Sequence, residues 1–212
     1  MLNPRMLWTV GAVAALALGV SARAEVVGEL EGVPVDNSAT VAGAKLQLNG
    51  AAVRKRGYFK TDVTTLYLPQ KCHSLDCIYH LNGPKRIQLS VLRDLSGSII
   101  AKYFISDFKL VTTDAEFKQL ITEVGEIGDL YGRLGEVKKG DISIIDWVPG
   151  KGIRCTFNGK VMAVNGQEYM NSPLMYEVLL RMYLGARSAT DYREALLGNE
   201  HVLSNTATAS AH

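Results

Sequence analysis

The segment Cys72-His73-Ser74-Leu75-Asp76-Cys77-Ile78-Tyr79-His80 gathers two thiols, two imidazoles and a carboxylate within nine positions. Such a set could close a disulfide between Cys72 and Cys77, where the backbone geometry allows it, or hold a metal ion. No second ligand pair follows at zinc-site spacing, so the metal reading is set aside and a disulfide or free thiols remain. In the loop-entropy treatment so short a bridge contributes only about 2 kcal/mol, enough to pin a loop and too little to make a domain. Cys155 is left over. Asp141 and Asp146 have the residue type of an acid/base pair, yet both fit turn and strand-edge duties. His73, His80, His201 and His212 lack the partners of a triad. No serine occupies a nucleophile elbow, and Gly150-Lys151-Gly152 is too short for a phosphate loop. Lys55, Arg56 and Lys60 form a local basic cluster of the kind that usually faces solvent. No cofactor or metal is expected.

The elements that must position any site begin after an apparent export signal. Arg5 precedes an apolar run from Leu7 to Val20, and Ala22-Arg23-Ala24 has the small-residue pattern of a cleavage site. That run has 14 residues, whereas a bilayer-spanning helix takes about 20. Cleavage after Ala24, with periplasmic or secreted location, is therefore expected. No later segment is long and apolar enough to span a membrane. Removing two of the 23 basic residues leaves 21 against 21 acidic ones. So balanced a charge excludes a protein built to grip nucleic acid. With 47% hydrophobic and 21% charged residues, the chain is expected to form one globular domain over 25–198, followed by an unfolded tail over 199–212.

Val26 to Leu68 reads as β structure, including a single long strand Arg54–Leu68 with Phe59, Val63 and Tyr67 on an apolar parity. Arg54, Arg56, Tyr58, Lys60 and Asp62 take the polar one, as in a sheet covered on one side only. The segment 72–83 reads as a loop and Arg86–Arg93 as a further strand. Helical spacing then starts at a cap on Ser96 or Ser98 and brings round Ile100, Tyr103, Phe104, Asp107 and Val111. Thr113 and Glu116 have capping-box spacing ahead of Phe117, Leu120, Ile121 and Val124. The glycines at 125, 128, 132 and 135 either pack a neighbour closely or break that helix near Gly125. Asp141–Trp147, Ile153–Phe157 and Val161–Val164 read as a meander. Ser172-Pro173 starts a buried helix ending at Gly185, and Thr190–Leu197 forms a last one closed by Gly198.

Four blocks in order carry a resemblance. They are LQLNGAAVRKRGYFKTDVTTLYLP at Leu46–Pro69, Arg93-Asp94-Leu95-Ser96-Gly97, Lys138-Lys139-Gly140-Asp141 with Asp146-Trp147-Val148-Pro149-Gly150, and Leu179-Leu180-Arg181-Met182-Tyr183-Leu184-Gly185. The sequence resembles the chalcone isomerase-like family, especially its exported bacterial members. The resemblance implies an α+β open-faced β-sandwich: a large antiparallel sheet covered by a layer of helices, with a ligand cleft between them. Plant enzymes of the family close a ring by adding a phenolate oxygen to an enone, assisted by an arginine that Arg54 matches in Gly50-Ala51-Ala52-Val53-Arg54. Their tyrosine aligns with Ile100, their asparagine with Asp107, and two threonines with Asp62 and Met182. One oxyanion donor is typically worth ~3 kcal/mol of barrier, and isoleucine donates nothing. Tyr103 shares the helical stripe of Ile100 and Asp107 and could bring a hydroxyl to the cleft.

The resemblance thus points to Arg54, Asp62, Ile100, Tyr103, Asp107 and Met182 as ligand-binding positions, with Arg54 and Tyr103 as the catalytic pair if the protein is an enzyme. The first reading is a binder of a small amphipathic anion, a fatty acid or other organic acid, with Arg54 at its charged end. The alternative is an intramolecular lyase of the chalcone isomerase type on another substrate. A third possibility is an interaction module whose cleft is collapsed. The first two require Arg54 to be free of a protein anion, against the rival of a salt bridge to Asp62 or Asp107. In one straight strand Arg54 and Asp62 would lie about 26 Å apart, so a shared site demands a bend, for which Gly57 is the natural place.

Overall fold

A computed structural model describes residues 24–203. Its strands and helices follow in the order β1 (Val26–Leu30), β2 (Val33–Asp36), β3 (Ser38–Val41), β4 (Ala44–Arg56), β5 (Phe59–Leu68), α1 (Leu75–His80), β6 (Lys85–Val91), β7 (Leu95–Ser96) and α2 (Gly97–Val111). Then come α3 (Asp114–Gln119), α4 (Ile121–Gly132), β8 (Glu136–Val137), β9 (Ile142–Val148), β10 (Gly152–Phe157), β11 (Lys160–Val161), α5 (Pro173–Leu184) and α6 (Thr190–Leu196). Seven strands make one antiparallel sheet in the order β11-β10-β9-β6-β5-β4-β3, while β1 pairs with β2 and β7 with β8 as separate ribbons. The architecture is α+β, a large antiparallel sheet with helices against one face. The expected signal segment, apart from Ala24, lies outside the described residues.

The expected single strand Arg54–Leu68 is a hairpin. It reverses at Gly57, whose φ of +57° suits a residue without a Cβ. Arg54 is therefore the direct cross-strand partner of Asp62. A two-residue turn pairs Arg56 with Phe59 and would by itself switch the parity, but the bulge between the Lys55–Lys60 and Arg54–Asp62 pairs adds one residue on β5 and restores it, which is why the parity pattern reads straight through. The face assignment also inverts. Leu66 and Leu68 join the main core under the helices, whereas Tyr67 belongs to a small cluster on the outer face with Val41, Leu46 and Val148. Asp62, on the parity expected to be polar and solvent-facing, is only 5% exposed.

Cross-strand register stacks the inner face in layers. Leu66, Ile87, Ile145 and Cys155 face one another along β5, β6, β9 and β10; one layer nearer the hairpin come Thr64, Leu89, Ser143 and Phe157. On the outer face Arg86 stands opposite Asp146, which it grips with two bonds of 2.7 and 2.8 Å. Asp146 thus lies in the sheet interior and not at a strand edge. Asp141 does serve a turn, accepting from the Lys138 amide and from Asn158.

Ser96 caps α2, whose fully buried residues are Gly97, Phe104 and Phe108. The stripe Ile100, Tyr103 and Asp107 is thereby turned from the core toward its rim. The segment after Thr113 is two helices, because the capping box starts α3 and the backbone leaves helical geometry at the buried Leu120. Gly125 does not break α4; of the glycine series, Gly128 packs against Ile105 of α2, while Gly125 and Gly132 face open space. The supposed loop 72–83 contains α1, capped by Ser74, and Cys72 is bridged to Cys77 with their Cα atoms 5.6 Å apart. That bond consumes both thiolates that the metal reading would need. The strand expected at Val161–Val164 is shorter, with Val164 bridging Gln167 instead. Structure also runs past the expected start of the tail: Asn199 bonds the His73 carbonyl and the Glu194 carboxylate.

Two sequence features fix the helix layer to the sheet. Gly50 lies where β4 meets the end of α6, and a Cβ there would overlap the carbonyl oxygens of Ala195 and Leu196. Glu116 closes the α3 capping box and also receives both terminal nitrogens of Arg181 on α5, at 2.7 and 3.2 Å. The Arg181 bonds, with the Thr113 amide, draw the Glu116 carboxyl from its ordinary 4.5 down to about 2. Gly50→Ala is expected to lower stability by on the order of 3 kcal/mol, read from the urea midpoint. For Glu116 the folded pKa is the lower one, so its stabilisation is present above pH 4.5 and lost as pH falls toward about 2. Glu116→Gln should flatten the acid limb of a plot of denaturation midpoint against pH in that window and leave the neutral region nearly level.

Candidate functional site

Between the inner face of the sheet and helices α2 and α5 lies a cleft of about 750 Å³, its open mouth included. Its inner walls are apolar, formed by Leu89 and Val91 of β6, Phe104 of α2, and Leu134 and Val137 beyond α4. All six residues pointed to by the resemblance, Arg54, Asp62, Ile100, Tyr103, Asp107 and Met182, border it. The hairpin at Gly57 is what brings the first two together.

The charged end is built from two arginine–aspartate pairs. Arg54 Nε donates to Asp62 Oδ2 at 2.9 Å. Asp62 also accepts from the Thr61 hydroxyl at 2.9 Å and the Thr64 hydroxyl at 2.7 Å; Thr64 in turn accepts from Tyr192 of α6 at 2.8 Å. The expectation of a guanidinium without a protein anion is thus corrected: Asp62, not Asp107, neutralises Arg54. Only Nε is spent on that carboxylate, and the guanidinium lies over the Tyr183 ring with Cζ 5.1 Å from its centroid. Burial works against the Arg54 charge, but Asp62 and the nearby phenols of Tyr183 and Tyr192 more than offset it, so the group stays protonated. Burial also pushes the Tyr183 phenol up, against the pull of Arg54.

Asp107 belongs to Arg56, whose Nη1 donates to Oδ1 at 2.7 Å while Nη2 meets Oδ2. Arg56 lies over the Tyr103 ring at 5.1 Å. This bidentate pair ties the end of β4 to the middle of α2 across the cleft. On its far side is a more polar recess bordered by Lys55, Arg187 and Asp191, which shares Arg54, Arg56, Asp107 and Met182 with the cleft. Arg56 is thus not a member of the solvated basic cluster expected with its neighbours Lys55 and Lys60, but part of the cleft rim. Its two-residue spacing from Arg54, which places both on one parity of a strand, is the signal that identifies it.

Deeper in, Tyr131 and Ser143 border the apolar part. The Ser143 hydroxyl is buried with no hydrogen-bond partner at normal distance, although the Tyr131 phenol is near enough to feel it. Burial raises the Tyr131 phenol far above its ordinary value, so it stays a neutral donor. Ile100 contributes only hydrocarbon. Tyr103 is 37% exposed and lies at the rim beneath Arg56, away from the buried hydroxyls. Sequence spacing gave no hint of Tyr131, Ser143 or Tyr183, because they come from three separate elements joined only by folding. Among the described residues, no group of His, Cys, Asp and Glu could hold a metal ion.

The comparisons agree with this architecture. No curated protein matches the sequence. Among solved structures, the crystal structure of a fatty-acid binding protein from Arabidopsis thaliana superposes with a TM-score of 0.65 at 14% identity, over 82% of this chain and 97% of that one. At that identity the likeness speaks for the fold. A sequence profile described as chalcone isomerase-like matches residues 27–198. The chain therefore belongs to the chalcone isomerase-like family.

Proposed function

We propose that this protein binds a small amphipathic molecule, a fatty acid or related organic acid, with its hydrocarbon among Leu89, Val91, Phe104 and Leu134 and its polar head at Arg54. The observation that carries the reading is the way Arg54 is held. Asp62 fixes the side chain through Nε, so the two Nη groups make no carboxylate bond among the described residues and, with the Tyr183 phenol within reach, are placed as donors beside an apolar cavity. In this form the reading does not require Arg54 to be free of a protein anion, contrary to the expectation from the sequence: with Asp62 balancing the charge, recognition rests on directed hydrogen bonds more than on net attraction. The fatty-acid binding protein of similar fold supports the ligand class. The isomerase alternative gains no support from this geometry, since Ile100 offers no proton and Tyr103 stands at the rim. The Cys72–Cys77 bond supports export to an oxidising compartment, and we propose that residues 1–24 are removed there.

Titration of the purified protein with dodecanoate should saturate at one site, and Met182→Trp, which fills the cleft, should abolish binding with the fold intact. Failure of the wild type to saturate with dodecanoate, together with native mass spectra showing no co-purifying acid, would overturn the reading. Arg54→Ala is expected to weaken binding about tenfold or more. It should also destabilise by about 3–5 kcal/mol, because Asp62 is left buried and unpaired. Adding Asp62→Ala should recover most of that stability and none of the affinity, which separates the two roles of the arginine.

A further inference from the structure

The β4–β5 hairpin ends in two aromatic side chains with little cover. Tyr58 is 103% exposed and Phe59 is 59% exposed. Single exposed apolar residues are common on soluble proteins, but this pair continues into a wider surface. Arg56, one residue before the turn, lies over Tyr103, and Ile99 precedes Tyr103 by one helical turn on the exposed side of α2. Cations fringe the surface: Arg93 lies over the Phe59 ring with Cζ 4.1 Å from its centroid, and Lys55 and Lys102 are exposed. The acids closest to it are engaged. Glu31 pairs with Lys60 and Asp107 with Arg56, Asp94 and Glu136 share Lys138, and Asp191 borders the recess of Lys55 together with Arg187. Among the described residues no carboxylate pairs with Lys55, Arg93 or Lys102, so the patch is net positive.

We propose that this hairpin tip and the adjoining face of α2 dock on an anionic phospholipid surface. Tyrosine and other amphipathic aromatic rings settle at the level of lipid headgroups, and lysine and arginine beside them are drawn to anionic lipid. A second copy of the chain is the weaker occupant, since a two-fold contact would set Arg93 and Lys102 against their own equivalents or other cations. Arg56 and Tyr103 belong both to the patch and to the cleft rim, so a docked molecule presents its cleft mouth to the membrane. The inference uses the position of the cleft and not its contents, so it is tested without any ligand.

The test is flotation of the purified protein with vesicles of phosphatidylcholine alone or with phosphatidylglycerol added, at low and high salt. The wild type should float with the anionic vesicles at low salt and be released at high salt. Tyr58→Ser combined with Phe59→Ser should weaken that partitioning about tenfold or more, as should Lys55→Gln with Arg93→Gln. Circular dichroism checks that the fold is kept. As a gain-of-signal control, Tyr58→Trp should shift its emission to the blue when anionic vesicles are added. Equal partitioning of the wild type and the aromatic double variant would overturn the proposal, as would equal binding to neutral and anionic vesicles. So would absence of vesicle binding combined with a concentration-dependent dimer that the aromatic variant abolishes, a result that assigns the patch to self-association.

Discussion

Asp62 places a carboxylate where water hardly reaches, and an isolated charge in such a position is strongly unfavourable. The structure around it is the answer to that constraint. Its cross-strand partner Arg54 supplies the counter-charge, Thr61 and Thr64 supply hydroxyls, and Tyr192 extends the chain of hydrogen bonds into α6. Two strands and the last helix are thereby held to one ion. The contact of Gly50 with the end of the same helix lets α6 come close enough for Tyr192 to reach. Satisfied in this way, a buried pair need not add stability relative to hydrocarbon, but it fixes which atoms point where.

That orientation governs what the cleft can do. A lone guanidinium would attract any anion; in the proposed binding role one already balanced by Asp62 would discriminate by geometry, through the nitrogens that Asp62 does not hold. The second pair, Arg56 with Asp107, has a different place in the architecture, because it crosses from sheet to helix and stands between the apolar cleft and the polar recess beyond it. Val91 stands opposite Asp62 and Leu89 opposite Ser143, so hydrocarbon begins beside the charged pair and the neutral hydroxyls of Tyr131 and Ser143 lie among it. Charge is thus confined to the hairpin end of a cleft otherwise walled by hydrocarbon and neutral hydroxyls. The same hairpin carries its exposed aromatics outward, so a single turn of backbone sets both the charged end and the outer surface beside it.

Local chemistry made much of this legible in the sequence. The Ser96 cap, the Thr113–Glu116 capping box, the Ser172-Pro173 helix start and the turn glycines act over four residues or fewer, so their signals survive in the linear text. The sheet-plus-helix class followed from the two periodicities and from the four blocks of family resemblance; five of the cleft positions came from that resemblance, and Tyr103 from its place on the helical stripe of Ile100 and Asp107. Parity is the misleading signal: the two-residue turn at Gly57 and the bulge beside Arg54 together leave the alternation unbroken, so the linear text reads as one strand where two are paired and puts Asp62 on the solvent side.

The sequence by itself determined the helix starts, the order of most elements and the residue types available to a cleft, because propensity and capping are properties of neighbours in the chain; the hairpin at Gly57, helix α1 and the buried face of Asp62 it did not determine. Only the tertiary structure decided that Arg54 belongs to Asp62 and Arg56 to Asp107, that Tyr131, Ser143 and Tyr183 meet in one cavity, and that Tyr58 and Phe59 are left uncovered. These are facts of register and packing between segments far apart in sequence. A charge has no preferred partner until the fold brings one within hydrogen-bond reach, and no local pattern records that distance.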